Sequence, residues 1–175
     1  MDYILENKDI KLRALEPEDV DMLFDIENDR KLWQVSNTLT PFSRDILSKY
    51  ISRADQDIFE ARQLRLAISP KNENELFGLI DLFDFEPQHH RAGIGILILE
   101  SHQNKGIASQ ALKLVVDYAF NQLDLRQLFA YIPSNNPKSR RLFEKIGFEP
   151  VGTLKDWIRS GKQFLDVELY QIINS

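Results

Sequence analysis

Residues 92–108 read AGIGILILESHQNKGIA, and the rest of the chain is organised around this stretch. Ile94 to Leu99 is a run of β-favouring apolar residues, which predicts a buried strand. A polar break follows at Glu100 to His102, and Gln103 to Ala108 then leads into a predicted helix. A strand, a tight turn and a helix N-terminus form an anion site, because the first helical N–H groups have no intrahelical acceptor and the helix dipole adds positive potential.

The turn carries a glycine and a cation, which favour a phosphate as the anion. Gly106 lets the backbone approach a phosphate without an intervening Cβ, and Lys105 supplies charge. The spacing is neither GxxxxGK[ST] nor GxGxxG, so nucleoside triphosphates and dinucleotides are disfavoured. An ordinary strand-to-helix connection is the alternative for these residues taken alone.

Composition excludes several classes of function. The chain has 175 residues, which predicts one domain with a sizeable core. Its net charge is -5 with no basic block, which argues against nucleic acid as a partner. It has no cysteine, so disulfides, thiolate metal sites and cysteine nucleophiles are excluded. The early charges of the N-terminus do not suit a signal peptide, and no apolar run reaches the ~18 residues of a membrane span. We therefore expect a cytoplasmic protein.

Periodicity predicts a mixed α/β fold. Before the central strand the patterns predict a strand at Ile10 to Leu15, two helices that begin near Pro17 and Ser43, and a hairpin of Leu64–Ile68 with Leu76–Phe85. After it they predict a long helix from Ala108, a strand at Leu128–Ile132, a helix from Pro137 to Gly147, and strands at Phe148–Leu154 and Phe164–Ile173. The order β-α-α-β-β-β-α-β-α-β-β implies a mixed, mostly antiparallel sheet with helices on both faces, in one domain at residues 10–173.

A second segment strengthens the interpretation of the first. Residues 136–148 read NPKSRRLFEKIGF: an Asn, a small residue three positions later, an aromatic residue seven positions later, and then KxGF. Gln103-x-x-Gly106-x-Ala108 after an apolar strand resembles the Q/R-x-x-G-x-G/A motif of the GNAT N-acetyltransferases, and residues 136–148 resemble that family's other signature. The element order is also that of the family, so the resemblance extends from Leu12 to Ile172.

The branch that the chain is most similar to contains ribosomal-protein N-terminal acetyltransferases and spermidine acetyltransferases, and residues 77–108 are similar to the spermidine enzymes almost throughout. This resemblance implies acetyl-CoA as co-substrate and no metal. The implied pyrophosphate contacts are Gln103, Asn104, Lys105, Gly106, Ile107 and Ala108. The implied pantetheine contacts are Ile96, Leu97 and Ile98, through backbone that would pair as an added strand does. Asn136, Ser139 and Arg141 are candidates near the sulfur and the adenosine 3′-phosphate; Asn136 is equally a helix cap before Pro137.

The implied reaction is direct attack of a primary amine on the thioester, which requires a base and a proton donor for the thiolate. Many relatives have a tyrosine where this chain has Phe143, so we expect Ser139, one turn earlier, to serve the sulfur. Relatives often have a glutamate where Gly93 stands. Asp81 and Asp84 point to opposite faces of a regular strand, and we rank Asp84 first as the base. The reserve candidates for the base are Glu86, His89 and His90. We reject a metal site at the two histidines, because neighbouring side chains in one loop seldom point the same way.

The sequence says less about the acceptor than about the donor. Spermidine enzymes carry a cluster of carboxylates after the first helix, whereas residues 33–38, WQVSNT, contain no acid. Trp33 is either a core residue or a wall of the acceptor pocket. We expect a small-molecule or peptide amine as acceptor, with no membrane partner and with a homodimer as a further expectation. Two alternatives stand beside this: a polyamine N-acetyltransferase, and a non-catalytic coenzyme A-binding module, the latter motivated by Phe143 and Gly93.

Overall fold

The strands predicted from the sequence assemble into one seven-stranded sheet. The computed structural model describes residues 5–32, 40–53 and 57–175. The sheet order is β1-β2-β3-β4-β5-β7-β6, and every neighbouring pair is antiparallel except β4 with β5. The strands are β1 (Ile10–Arg13), β2 (Leu64–Pro70), β3 (Gly78–Glu86), β4 (Arg91–Ile98), β5 (Gln127–Pro133), β6 (Glu149–Ser160) and β7 (Gln163–Ile173).

Helices cover both faces of the sheet, as predicted. They are α1 (Val20–Asn28), α2 (Arg44–Ser52), α3 (Ile58–Ala61), α4 (Ile107–Asn121) and α5 (Pro137–Ile146). The predicted caps are present: the Ser43 side chain accepts from the N–H of Ile46, and that of Asn136 accepts from the N–H of Ser139. No helix in the described ranges is long and apolar enough to cross a membrane.

Two apolar clusters hold the helices to the sheet. On one face Leu112 and Val115 of α4 and Phe143 of α5 pack against alternate residues of the strands, such as Ile80 and Leu128. The other face carries a smaller cluster, in which α1 and α2 pack against Ala67 and Leu79. Because strand side chains alternate, odd and even positions of β3 and β4 serve different helical layers.

The observed bounds differ from the predicted ones at several elements. The short α3, capped by the Asp57 side chain, was not predicted, because four residues are too few for a helical period. β3 begins at Gly78, two residues later than predicted. β6 extends to Ser160, six residues beyond the predicted end at Leu154, because irregular pairing at residues 155–157 breaks the alternation there.

Candidate active site

The centre of the sheet is open. β4 and β5 pair only through Arg91–Gly93 with Gln127–Phe129, and the described residues of β4 beyond Gly93 have no strand partner on that side. The N–H of Leu99 donates to the carbonyl oxygen of Phe77, on the β3 side. Strand alternation therefore directs the backbone groups of Leu97 to β3 and those of Ile96 and Ile98 into the gap.

This geometry separates the three predicted pantetheine residues. Ile96 and the N–H of Ile98 face the gap without a strand partner, and an amide-bearing ligand could pair with them as an added strand. The expectation for Leu97 needs correction, because its main-chain groups belong to the ladder with β3 and its side chain packs under α1 and α2. The carbonyl oxygen of Ile98 already accepts a hydrogen bond from Gln103 Nε2 at 3.1 Å.

The predicted pyrophosphate turn, residues 103–108, has the backbone of an anion cradle. Asn104 (φ 62°) and Gly106 (φ 75°) are both left-handed, and Gly106 is the N-cap of α4. Such conformations turn successive N–H groups to one side. Within the described chain the N–H groups of residues 104–106 have no backbone acceptor, and a Cβ on Gly106 would meet no atom within 4 Å. Lys105 is exposed beside this open space, so the turn fits a phosphate.

Gln103 has a bracing role as well. Its Nε2 holds the end of β4 at Ile98, and its Oε1 accepts from Lys138 Nζ at 3.2 Å. One side chain thus connects the central strand, the pyrophosphate turn and the first turn of α5. Substitution of Gln103 would loosen all three.

The first turns of α5 place the second motif at the gap. Asn136, Ser139 and Phe143 line one cavity, because positions i, i+3 and i+7 share a helix face. Asn136 is the helix cap, and the hydroxyl of Ser139 has no hydrogen-bond partner among the described residues. Arg141 is exposed and lies about 200° around the helix from Ser139, so it is not part of the cavity wall.

The central cavity, of about 570 Å³, lies in the gap between β4 and β5. Its walls on one face come from Ile94, Ile96, Ser139 and Phe143, and on the other from residues that include Asp81, Phe83 and Asp84. The sheet is therefore open from one face to the other at this cavity. Two substrates that approach from opposite faces would meet inside it.

A β-bulge brings both carboxylates of β3 to the cavity. Phe83 pairs with Gly93 and Glu86 with Arg91, so Asp84 and Phe85 both lie opposite Ala92. Asp84 takes a left-handed conformation (φ 46°), which Asp tolerates better than most residues. The expectation that only one of Asp81 and Asp84 faces the site is therefore wrong, because the extra residue shifts the alternation by one.

Comparison with known proteins gives the family. The acetyltransferase (GNAT) domain model matches residues 9–149. The chain is similar to a spermidine N(1)-acetyltransferase of Vibrio cholerae, with 27% identity over 97% of this chain and 95% of that protein. It is also similar to a putative ribosomal N-acetyltransferase of Bacillus subtilis, with 28% identity over 95% and 92% of the two chains. The crystal structure of spermidine N-acetyltransferase from Vibrio cholerae in complex with CoA and spermine superposes with a TM-score of 0.85, at 27% identity over 95% of this chain and 96% of that one.

The chain belongs to the GNAT acetyltransferase family. The predicted recognition, fold and N-acetyltransferase activity are confirmed, and acetyl-CoA is the co-substrate. Membership favours an enzyme over the alternative of a non-catalytic module. The cradle at Gly106 and the unpaired edge at Ile96 and Ile98 suit this donor, because its pyrophosphate needs N–H donors and its pantetheine amides need backbone partners.

In this acetyltransferase the two carboxylates differ in their partners. Asp81 accepts two hydrogen bonds from Arg65, at 2.7 and 3.1 Å, and Arg65 also donates to Glu27 of α1 at 2.5 Å. Burial disfavours the charge on Arg65, but Asp81 and Glu27 outweigh it and raise the pKa of the guanidinium. Asp84 is exposed, and no described side chain pairs with it. None of the reserves Glu86, His89 and His90 belongs to the described cavity wall.

Sequence reasoning missed the aromatic side of the acetyltransferase's cavity. Phe83, Tyr131 and Trp157 line it, and Phe129 supports the Phe83 ring edge-on at 5.8 Å between ring centroids. Phe129 and Tyr131 alternate with buried residues in β5, which was an available signal for one exposed aromatic face. Trp157 lies in an irregular part of β6, where no alternation in the sequence could indicate its orientation. The predicted acceptor residue Trp33 lies outside the described residues.

Proposed function

We propose that this acetyltransferase transfers the acetyl group of acetyl-CoA to a primary amine by direct attack in a ternary complex. The observation that carries the proposal is the central cavity, which connects the two faces of the sheet between β4 and β5. Coenzyme A would occupy the face of α4 and α5, with its pyrophosphate at the Gly106 turn. The acceptor would enter from the face that carries Asp81 and Asp84.

The residues of the cavity suggest how each proton and charge is handled. Asp84 accepts a proton from the attacking amine, because it is the carboxylate without a described cationic partner. As the N–C bond forms, the carbonyl oxygen gains negative charge, and the N–H of Ile96, which faces the gap, donates to it. As the C–S bond breaks, the Ser139 hydroxyl gives its proton to the sulfur and regains one from solvent.

A polyamine acceptor is the second candidate. The relative from Vibrio cholerae is named a spermidine N(1)-acetyltransferase, and its solved structure contains CoA and spermine. Against a polycation, residues 33–39 contain no Asp or Glu, and Phe143 lacks the phenol that the resemblance to the spermidine enzymes implies at this position. We therefore place a singly charged primary amine ahead of a polyamine. A peptide N-terminus stays open as a third class of acceptor.

The deciding experiment combines donor binding with an acceptor screen. Isothermal titration with coenzyme A measures the donor site, and no binding at millimolar ligand would refute the proposal. Mass spectrometry then detects the gain of one acetyl group by spermidine, spermine, monoamines and peptides with free N-termini. A protein that binds coenzyme A but acetylates no amine in this panel would instead support the non-catalytic module.

Asp84 is tested separately. Asp84→Asn keeps the shape of the side chain and removes the base, so kcat should fall by ~10²-fold or more. Asp117→Asn is the matched control, because Asp117 is an exposed carboxylate on α4 and is not part of the cavity wall. Equal kcat values for the two variants would assign proton removal to another group.

We also propose that the chain self-associates. A spermidine N-acetyltransferase from Vibrio cholerae, at 28% identity, has been solved as a dodecamer. Sedimentation velocity would show whether this chain forms a dimer or a larger assembly, and a monomer at micromolar concentration would contradict the proposal.

A further inference from the structure

The acceptor opening is the end of the central cavity at Phe83, Tyr131 and Trp157. These side chains come from β3, β5 and β6. The rings of Phe83 and Tyr131 lie 6.3 Å apart between centroids and within 24° of parallel. Tyr131 is 44% exposed and Trp157 is 60% exposed, so a large aromatic surface faces the solvent at the entrance. Exposed aromatic surface at the mouth of a cavity is typical of ligand recognition.

The position of Trp157 depends on a second bulge. Leu154 pairs with Val167 and Ile158 with Leu165, so residues 155–157 of β6 lie opposite Asp166 alone. Asp156 takes a left-handed conformation (φ 49°) within this bulge. Such bulges redirect side chains near binding sites, and this one directs Trp157 into the opening.

Both oxygens of Asp166 accept hydrogen bonds at the bulge, and the one that accepts from the backbone fixes its conformation. Oδ1 accepts from the backbone N–H of Asp156, and Oδ2 accepts from Lys155 Nζ, each at 2.9 Å. These two donors, the backbone N–H first, lower the pKa of the Asp166 carboxyl. The strained residue is therefore fixed by a charged group, which keeps the indole at the entrance.

The charges at the opening suit one cation. Among the described residues that line the cavity, the charged side chains are Arg65, Asp81 and Asp84. Arg65 donates two hydrogen bonds to Asp81 and one to Glu27, whereas Asp84 is the carboxylate of the described cavity wall without a cationic partner. A single ammonium group beside Asp84 would also lie close to aromatic rings, which attract cations. The other carboxylate of the described cavity wall is Asp81, and a second ammonium group of a polycation would have to compete with Arg65 for its oxygens.

We infer that the acceptor is a small primary monoamine with a flat apolar body, of the arylalkylamine type. The inference rests on the proposed function and narrows its substrate class. The amine nitrogen lies near Asp84, and the ring of the acceptor stacks against Trp157 and Tyr131. Polyamines and peptide N-termini become the competing outcomes of the test.

The test compares kcat/KM for 2-phenylethylamine, spermidine and a short peptide with a free N-terminus. 2-Phenylethylamine should be preferred over spermidine by at least tenfold. Trp157→Ala should raise the KM for 2-phenylethylamine about tenfold, with the KM for acetyl-CoA and the melting temperature unchanged. Preference for spermidine or the peptide, or an unchanged KM in Trp157→Ala, would overturn the inference but leave the proposed function intact. Acetylation of no amine at all would overturn both.

The bulge gives a matched pair of variants. Asp166→Ala removes the acceptor of the Asp156 N–H and should raise the KM for 2-phenylethylamine as Trp157→Ala does. Lys155→Met removes only the exposed ion pair and should leave that KM unchanged. Binding can be followed without turnover in Trp33→Phe, where Trp157 is the remaining tryptophan: 2-phenylethylamine should change its fluorescence, and no change at saturation would contradict the stacking.

Discussion

The ring of Phe83 occupies the space in which a side chain at position 93 would lie. The two residues are direct partners on β3 and β4, and a Cβ on Gly93 would be 2.3 Å from the Cε2 atom of Phe83. Phe129 and Tyr131 pack against the same ring, which limits its movement. The packing of Phe83 therefore excludes a glutamate at position 93, and Asp84, the residue after Phe83, provides a carboxylate to the cavity instead.

The Phe83–Gly93 pair predicts a measurable coupling. Gly93→Ala should destabilise the protein by roughly 1–3 kcal/mol, because the new methyl group forces the ring out of its packing. In Phe83→Ala the same substitution should cost much less. Urea unfolding of the four proteins in the cycle gives the coupling energy, expected at about 0.5–3 kcal/mol. Additive effects would mean that the ring moves aside without cost.

Gly106 predicts a selective defect in donor binding. Gly106→Val strains a left-handed residue and places a branched side chain where the phosphate should lie, so the KM for acetyl-CoA should rise about tenfold or more, equivalent to ~1.4 kcal/mol. The KM for the acceptor should stay near its original value. Gly161→Val is the matched control, because Gly161 is also left-handed (φ 64°) and has open space around it, but belongs to the β6–β7 turn. A similar rise in both variants would indicate general damage to the fold.

Ser139 predicts a defect in turnover. If its hydroxyl protonates the leaving sulfur, Ser139→Ala should lower kcat by ~10²-fold. Donor affinity should change by about one hydrogen bond, ~1 kcal/mol. Stopped-flow thiol release gives kcat, and titration calorimetry gives the affinity. A normal kcat in Ser139→Ala would reject this role and indicate that solvent protonates the departing thiolate.

Phe143→Tyr complements that experiment. Phe143 lines the cavity but is only 3% exposed, with its ring edge-on to Phe148 at 5.0 Å between centroids. In the Ser139→Ala background the added phenol should restore part of the lost kcat if it reaches the sulfur. A loss of stability without any recovery would show that the hydroxyl points into the core.

Asp19 predicts how stability depends on acid. Burial opposes its ionisation, but two hydrogen bonds from Arg13 and one from the N–H of Glu16 prevail and lower the pKa of Asp19 below 3.8. Because the folded pKa is the lower one, this contribution is complete above pH ~4 and is lost as the pH falls through the folded value. Asp19→Asn should cost about 1–3 kcal/mol at pH 7 and flatten the acid limb of stability against pH. The exposed Glu18→Gln should do neither, and identical acid limbs for Asp19→Asn and wild type would exclude the mechanism.

Local signals accounted for much of the fold. The caps at Ser43 and Asn136 and the alternation in β2 and β5 depend on residues within a few positions of one another, so the sequence displays them directly. The Gly106 turn was predictable for the same reason. Its neighbours in sequence are also its neighbours in space.

The acceptor side depends on distant partners and could not be predicted in this way. Arg65 bonds to residues 16 and 38 positions away, and Trp157 reaches the cavity because Asp166 on another strand stabilises a bulge. The bulge at Asp84 likewise follows from the pairing of β3 with β4. A β-bulge arises when one strand has more residues than its partner between two paired positions. It is therefore a property of the pair of strands, and the sequence of one strand alone does not reveal it.

Because β4 and β5 pair over so short a length, we expect bound coenzyme A to become a structural element of the sheet. Three residue pairs join the first four strands to the last three, and beyond them the amides of Ile96 and Ile98 face an open gap. In the free protein these two amides should exchange with deuterium far faster than that of Leu97, which is bonded to β3. Coenzyme A should slow deuterium exchange at the amides of Ile96 and Ile98 and leave exchange at that of Leu97 unchanged. Amide exchange at alternate residues of one strand thus becomes a record of how far the donor has entered the sheet.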